Sequence, residues 1–80
     1  MSMTQEKIEL TKKLTVTTVV DVLAHEQSIS SEEALRRFLK TKTYALLMSD
    51  KSMLYTESTE YVLDMLQSEI NGDWEAWQKI

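Results

Sequence analysis

Apolar residues recur along the first third of the chain at the spacing of an amphipathic helix. Four of them fall at i, i+3, i+4 and i+7, and these are Val16, Val19, Val20 and Leu23. Ile8 lies on the same face two turns earlier. The run TVTTVV is rich in β-branched residues, which makes a strand the alternative. Because strict alternation fails at Val19-Val20 and the pattern outlasts a typical strand, we predict one long helix over residues 3–26.

The next segment, SISSEEALRRFL, carries the signature of a helix start. Ser30 can cap the first amides, while Glu33 reaches back to the Ser30 amide in a capping box. Ile29 and Ala34 occupy the positions of a hydrophobic staple. The expected buried stripe of this helix is Ala34, Leu35, Phe38 and Leu39. The pair Glu32-Glu33 could also form a general acid and base, but acidic residues at a helix start favour the structural interpretation.

The segment TKTYALLMSD predicts a short helix that begins with Thr41 or Thr43 as its cap. Its apolar residues are Tyr44, Leu47 and Met48. The polar break SDKS follows, and MLY then provides an apolar anchor ahead of the last helix.

Three hydroxyl residues are candidate N-caps of this last helix, namely Thr56, Ser58 and Thr59. We expect Tyr61 to open its buried stripe, which continues through Val62, Met65, Leu66 and Ile70. Gly72 suits a left-handed helix stop. The apolar residues of DWEAWQKI nevertheless keep the phase of Ile70, so continuation through Gly72 is the alternative.

These patterns predict an all-α fold, a small bundle of three main helices plus one short helix. The length of 80 residues allows a single domain over residues 1–80, and we expect 1–10 and 73–80 to be less ordered. A chain this short has a small core, and without cysteine it has no disulfides to strengthen it. Self-association is the remaining means of stabilisation, so a homodimer is plausible.

The sequence offers little material for catalysis or cofactor binding. His25 is the only histidine and cysteine is absent, so a transition-metal site lacks ligands. A single glycine excludes the glycine-rich phosphate loops. His25 lies near the end of the first helix, where a cation interacts favourably with the helix dipole. We therefore expect a helix-terminal role for His25 rather than the role of a catalytic base. We therefore expect no enzyme activity, no metal and no cofactor.

Charge and hydropathy reduce the number of functional classes that remain. There is no membrane-length apolar run and no signal-peptide core, so we expect a soluble cytoplasmic protein. The net charge of −4 makes nucleic-acid binding an unfavourable main role. The alternative is a helix-turn-helix regulator over residues 30–48, with candidate nucleic-acid contacts at Arg36, Arg37, Lys40 and Lys42. The turn lacks glycine, and TYALLM carries no base-reading side chain.

Aromatic residues near the end of the chain are the candidate partner interface. These are Tyr55, Tyr61, Trp74 and Trp77, and the two tryptophans share one helical face. The competing interpretation places the tryptophans in the core, packed against the first helix. The function that the sequence favours is protein–protein interaction, either with a second copy or with a protein encoded by a neighbouring gene.

The chain resembles a family of short bacterial helical proteins of unknown function. The likeness covers about residues 14–71 and rests on an apolar helix ending near HEQSIS, followed by SSEEALRRFLKT, TYALLMSD and LYTESTEYVLDML. The resemblance implies a compact helical domain. Some members look like neighbours of toxin-like or mobile-element genes, which implies an accessory role beside a partner protein. It implies no catalytic residue, and the tryptophan tail lies outside it.

Overall fold

A computed structural model describes residues 4–72, and this part of the chain is helical without any β-strand. The α-helices are α1 (Gln5–Gln27), α2 (Ser31–Phe38), α3 (Lys42–Met48) and α4 (Thr59–Gly72), and a 3₁₀ helix (Leu54–Thr56) precedes α4. The prediction of an all-α fold is confirmed. None of the described helices is long and apolar enough to cross a membrane.

Helix α1 includes the β-branched run TVTTVV, so the strand alternative is wrong. The helix begins after Thr4, whose hydroxyl accepts a hydrogen bond from the Lys7 amide at 3.2 Å. It ends at Ser28, which adopts the left-handed conformation with φ 54°. The Ile29 amide then donates to the Ala24 carbonyl at 3.1 Å, which is the bond expected of a left-handed helix stop.

The three later helices each begin at a capping hydroxyl that accepts a hydrogen bond from the amide three residues ahead. These hydroxyls belong to Ser30, Thr41 and Ser58, and the donors are the amides of Glu33, Tyr44 and Tyr61 at 3.0, 3.1 and 3.2 Å. The predicted cap at Ser30 is confirmed. Between the candidates for α3 the cap is Thr41, and among those for α4 it is Ser58.

The core draws apolar side chains from every helix. Its members are Val19, Val20, Leu23, Ala34, Phe38, Leu47, Leu54, Tyr55, Val62, Leu66 and Ile70. Phe38 is fully buried and meets the ring of Tyr44 edge-on, with the ring centroids 5.4 Å apart. The predicted inward face of α1 is confirmed, and so is that of α4 from Val62 onward, with Val16 and Met65 partly buried at their edges.

Two of the predicted core positions on α2 are wrong. Ala34 and Phe38 are buried, but Leu35 and Leu39 are exposed. Successive residues of a helix are rotated by about 100°, and a helix of eight residues turns only one narrow face to the core. Leu35 and Leu39 lie one residue past that face. Tyr61, the predicted start of the inward stripe on α4, is likewise half exposed.

The reciprocal half of the capping box is also wrong. Ser30 accepts from the Glu33 amide as expected, but the Glu33 carboxylate accepts hydrogen bonds from the guanidinium groups of Arg36 and Arg37 instead. Two charged donors on the next turn are stronger partners for a carboxylate than one backbone amide.

Helix α4 extends to Gly72 at the end of the described residues. Gly72 does not take a left-handed conformation, so it is not the helix stop that the first of the two alternatives required. The residues beyond it, including Trp74 and Trp77, lie outside the described residues.

Candidate protein-binding surface

Exposed leucines concentrate on the outer side of α1 and α2. On α1, Leu10 and Leu14 are 57% and 59% exposed. Leu35 on α2 is 37% exposed, and Leu39, which directly follows the last residue of α2, is 45% exposed. Single exposed apolar residues are common on protein surfaces, but groups of them mark contact surfaces. We call these four leucines together with Thr17 the α1–α2 surface.

Helical spacing places the α1 part of this surface opposite the core. Leu10, Leu14, Thr17 and Asp21 follow one another at i, i+4, i+7 and i+11, which is one face of a helix. The Thr17 hydroxyl already donates to the Lys13 carbonyl at 3.0 Å. Because its polar group has a partner within the helix, Thr17 can lie in an apolar contact without losing a hydrogen bond.

A groove between α1 and α2 is lined by Thr17 and Leu35 of this surface. Its volume is about 300 Å³, and Val16, Val20 and Leu35 supply its apolar lining. Asp21 and Glu32 add two acidic side chains to its lining. The groove therefore combines apolar area with negative charge, so it can accept an apolar segment accompanied by a cation.

Lys12 forms a second cluster, which sequence reasoning missed. Its side chain is almost buried, and its ammonium group donates to the Met48 carbonyl at 2.9 Å and to the Asp50 carboxylate. The same ammonium group lies 5.2 Å from the centre of the Tyr55 ring. A signal was present in the sequence, because Lys12 is four residues after Ile8 on the inward face of α1. All its contacts are internal, so this cluster is structural.

Glu69 forms a third cluster, which joins α4 to α3. Its carboxylate accepts hydrogen bonds from the amides of Lys42 and Thr43, each at 2.8 Å, and from the Thr43 hydroxyl at 2.7 Å. Partial burial raises the pKa of Glu69, but these hydrogen bonds and the charge of Lys42 outweigh it and hold the pKa below its ordinary value. No local pattern reveals this contact, because the partners are 26 and 27 residues apart.

The aromatic residues predicted as a partner interface do not share one environment. Tyr55 is buried beneath Lys12, whereas Tyr61 is half exposed on α4. Trp74 and Trp77 lie outside the described residues. The role of these residues at an interface stays a prediction, and of the two tyrosines Tyr61 is the accessible one.

The basic residues proposed for nucleic-acid contact are partly engaged within the chain. Hydrogen bonds from Arg37 and then Arg36 lower the pKa of Glu33, so this carboxylate stays ionised and neutralises part of their charge. Lys40 is exposed on the turn before α3, and Lys42 is exposed as the first residue of α3. The DNA-binding alternative stays a prediction, and no contact among residues 4–72 adds support for it.

The other residues considered for chemistry occupy ordinary helical positions. His25 is exposed in the last turn of α1. Glu33 is paired with Arg36 and Arg37, and Glu32 lines the groove between α1 and α2. Within residues 4–72, no group of three His, Cys, Asp or Glu side chains is placed to hold a metal ion.

Comparison with known proteins gives no further assignment. No family model, curated protein or solved structure matches the chain.

Proposed function

We propose that this chain is a small accessory protein that acts by binding protein, and that the α1–α2 surface is its contact surface. The observation that supports this proposal is the exposure of Leu10 and Leu14 on α1 and of Leu35 and Leu39 on and directly after α2, the helix that packs against α1. Full burial of a leucine side chain contributes roughly 1.5–3 kcal/mol, so these partly exposed ones contribute about 1 kcal/mol each when a partner covers them.

The proposal includes a non-catalytic role in the cytoplasm. The bound protein is a second copy or the product of a neighbouring gene, as the family resemblance implies. Membership of that family of short bacterial proteins is itself part of the proposal. For the fold, we propose a small bundle in which α1, α2 and α4 are the main helices and α3 is the short one.

A pull-down with matched variants tests the contact surface. The bait is the full chain carrying Leu10→Gln and Leu14→Gln, which removes two exposed leucines and keeps good helix formers. The control carries Leu46→Gln and Met53→Gln, which removes two similarly exposed apolar side chains from elsewhere on the molecule. Circular dichroism verifies that both variants remain helical.

We expect the wild type and the control to retain the same protein, and the Leu10 and Leu14 variant to bind it about 30-fold more weakly. This factor corresponds to about 2 kcal/mol for two leucines. Equal retention by both variants would show that the surface is wrongly placed. A wild type that retains nothing and sediments at 9.3 kDa would refute the proposed function itself.

A further inference from the structure

We propose that the α1–α2 surface binds a second copy of this chain, with the two α1 helices antiparallel and Thr17 on the two-fold axis. This inference rests on the proposed function and names the partner. A two-fold interface uses the same patch on both copies, so the patch must be complementary to itself. The residues around Thr17 meet that condition in charge and in size.

The charges on α1 are arranged symmetrically about Thr17. Lys13 lies four residues before it and Asp21 four residues after it, and both side chains are exposed. Within residues 4–72 neither side chain takes part in an ion pair. In an antiparallel pair centred on Thr17, residues equally far before and after it face each other. Lys13 of each copy therefore faces Asp21 of the other, which gives two ion pairs.

The opposite orientation is disfavoured by the same charges. Two parallel α1 helices would set Lys13 against Lys13 and Asp21 against Asp21. Like charges at an interface are destabilising, and opposite charges fix the register of the two partners. Glu32 lines the groove together with Asp21 and adds to the negative charge there. Only the antiparallel arrangement places Asp21 of one copy opposite Lys13 of the other.

Side-chain size follows the same symmetry. Leu10 and Ala24 lie seven residues before and after Thr17, and Ala24 is only partly buried. The exposed Leu10 of one copy thus faces the smaller Ala24 of the other, which leaves room for it. Thr17 itself is small, and its hydroxyl is already bonded to the Lys13 carbonyl at 3.0 Å. The axis can therefore become dry without an unsatisfied donor.

A cysteine placed on the axis tests the arrangement directly. The chain has no cysteine, so Thr17→Cys introduces a single thiol. Two residues facing each other across a two-fold axis can come within the ~4.4–6.8 Å Cα separation that a disulfide needs. We expect mild oxidation to convert the Thr17→Cys chain to a disulfide-linked dimer. Ser68→Cys, on the exposed side of α4, is the matched control and should remain largely unlinked.

Charge exchange tests the register independently. By analytical ultracentrifugation of otherwise wild-type chains, we expect Lys13→Asp and Asp21→Lys each to weaken dimerisation about tenfold or more. The double variant carrying both changes restores opposite charges and should return to within about threefold of the wild type. Circular dichroism of each variant verifies that a loss of dimer is not a loss of fold.

The failure of this inference can be distinguished from failure of the proposed function. If the wild type is monomeric at all concentrations up to about 1 mM, a second copy is refuted as the partner. A Kd of about 1 mM corresponds to a binding free energy of only about 4 kcal/mol. In that case, a heterologous protein whose retention depends on Leu10 and Leu14 still supports the proposed function. A dimer that links through Ser68→Cys and not through Thr17→Cys refutes the arrangement about Thr17.

Discussion

Replacing Glu69 by glutamine should destabilise the fold, because it weakens the link between α3 and α4. One oxygen of the carboxylate accepts from the Lys42 amide, and the other accepts from the amide and hydroxyl of Thr43. A glutamine oxygen can keep the two Thr43 bonds, but its NH₂ group then faces the Lys42 amide, which is also a donor. The variant therefore loses one charge-assisted bond and weakens two others.

The size of the effect follows from these bonds. A hydrogen bond to a charged group contributes roughly 1.5–3 kcal/mol and a neutral one roughly 0.5–1.5 kcal/mol. Water can reach the Lys42 end of the contact, which reduces the combined cost of the lost bond and the two weakened bonds. We therefore expect the free energy of unfolding to fall by about 2 kcal/mol. For a domain of this size, that loss lowers Tm by about 8–16 °C.

The assay is urea unfolding at pH 7, followed by circular dichroism. Asp64→Asn is the control, because it removes the same charge from an exposed position on the same helix. We expect the control to change the free energy of unfolding by less than about 0.5 kcal/mol. If Glu69→Gln costs no more than this control at pH 7, the assigned role of the Glu69 carboxylate is refuted.

The pH dependence gives a second check on Glu69. Its pKa in the folded chain is below the ordinary value of 4.5. Its contribution is therefore fully present above the unfolded pKa and is lost as the pH falls through the folded pKa. We expect the gap in stability between wild type and Glu69→Gln to be largest at pH 7 and to shrink at pH 3. A gap that stays constant over this range would contradict the linkage.

Three further changes test other parts of the fold by the same unfolding assay. Lys12→Ala should lower the free energy of unfolding by about 2–4 kcal/mol, because it removes a buried charged donor and its packed stem. Asp50→Ala should lower it by less than about 1 kcal/mol, because Asp50 is 60% exposed. Equal losses would contradict the conclusion that Lys12 contributes more than Asp50. Ser30→Ala should cost about 1 kcal/mol through loss of the α2 cap, and Ser30→Gly should cost less; the reverse order would rule out capping. Phe38→Ala should cost about 3–5 kcal/mol, because Phe38 is fully buried, and Leu35→Ala should cost far less.

Local sequence patterns predicted the described helices well, because helix starts and inward faces depend on neighbouring residues. The caps at Ser30, Thr41 and Ser58 each involve an amide only three residues away. The valines of α1 likewise share one face by their spacing alone. Such features need no knowledge of the rest of the molecule.

The features that the sequence did not predict depend on contacts between distant segments. Glu69 finds its partners on α3, and Lys12 finds Met48 and Asp50 more than thirty residues away, at separations of 36 and 38. The exposure of Leu35 depends on how narrow a face α2 turns to the core. The α2 part of the α1–α2 surface is not predictable for the same reason, because the spacing of Leu35 and Leu39 alone does not show which side of α2 faces the core.

Two left-handed residues give the protein room for stabilisation by engineering. Ser28 and Met53 have φ of 54° and 56°, although neither is a glycine. A side chain in this conformation is strained by roughly 1–2 kcal/mol, and glycine relieves that strain at some cost in backbone entropy. Ser28→Gly and Met53→Gly should each gain up to about 1 kcal/mol, and their effects should add, because the two positions lie on separate turns. A chain carrying both changes would offset surface substitutions that cost up to about 2 kcal/mol, so that binding by such variants could be measured without a loss of structure.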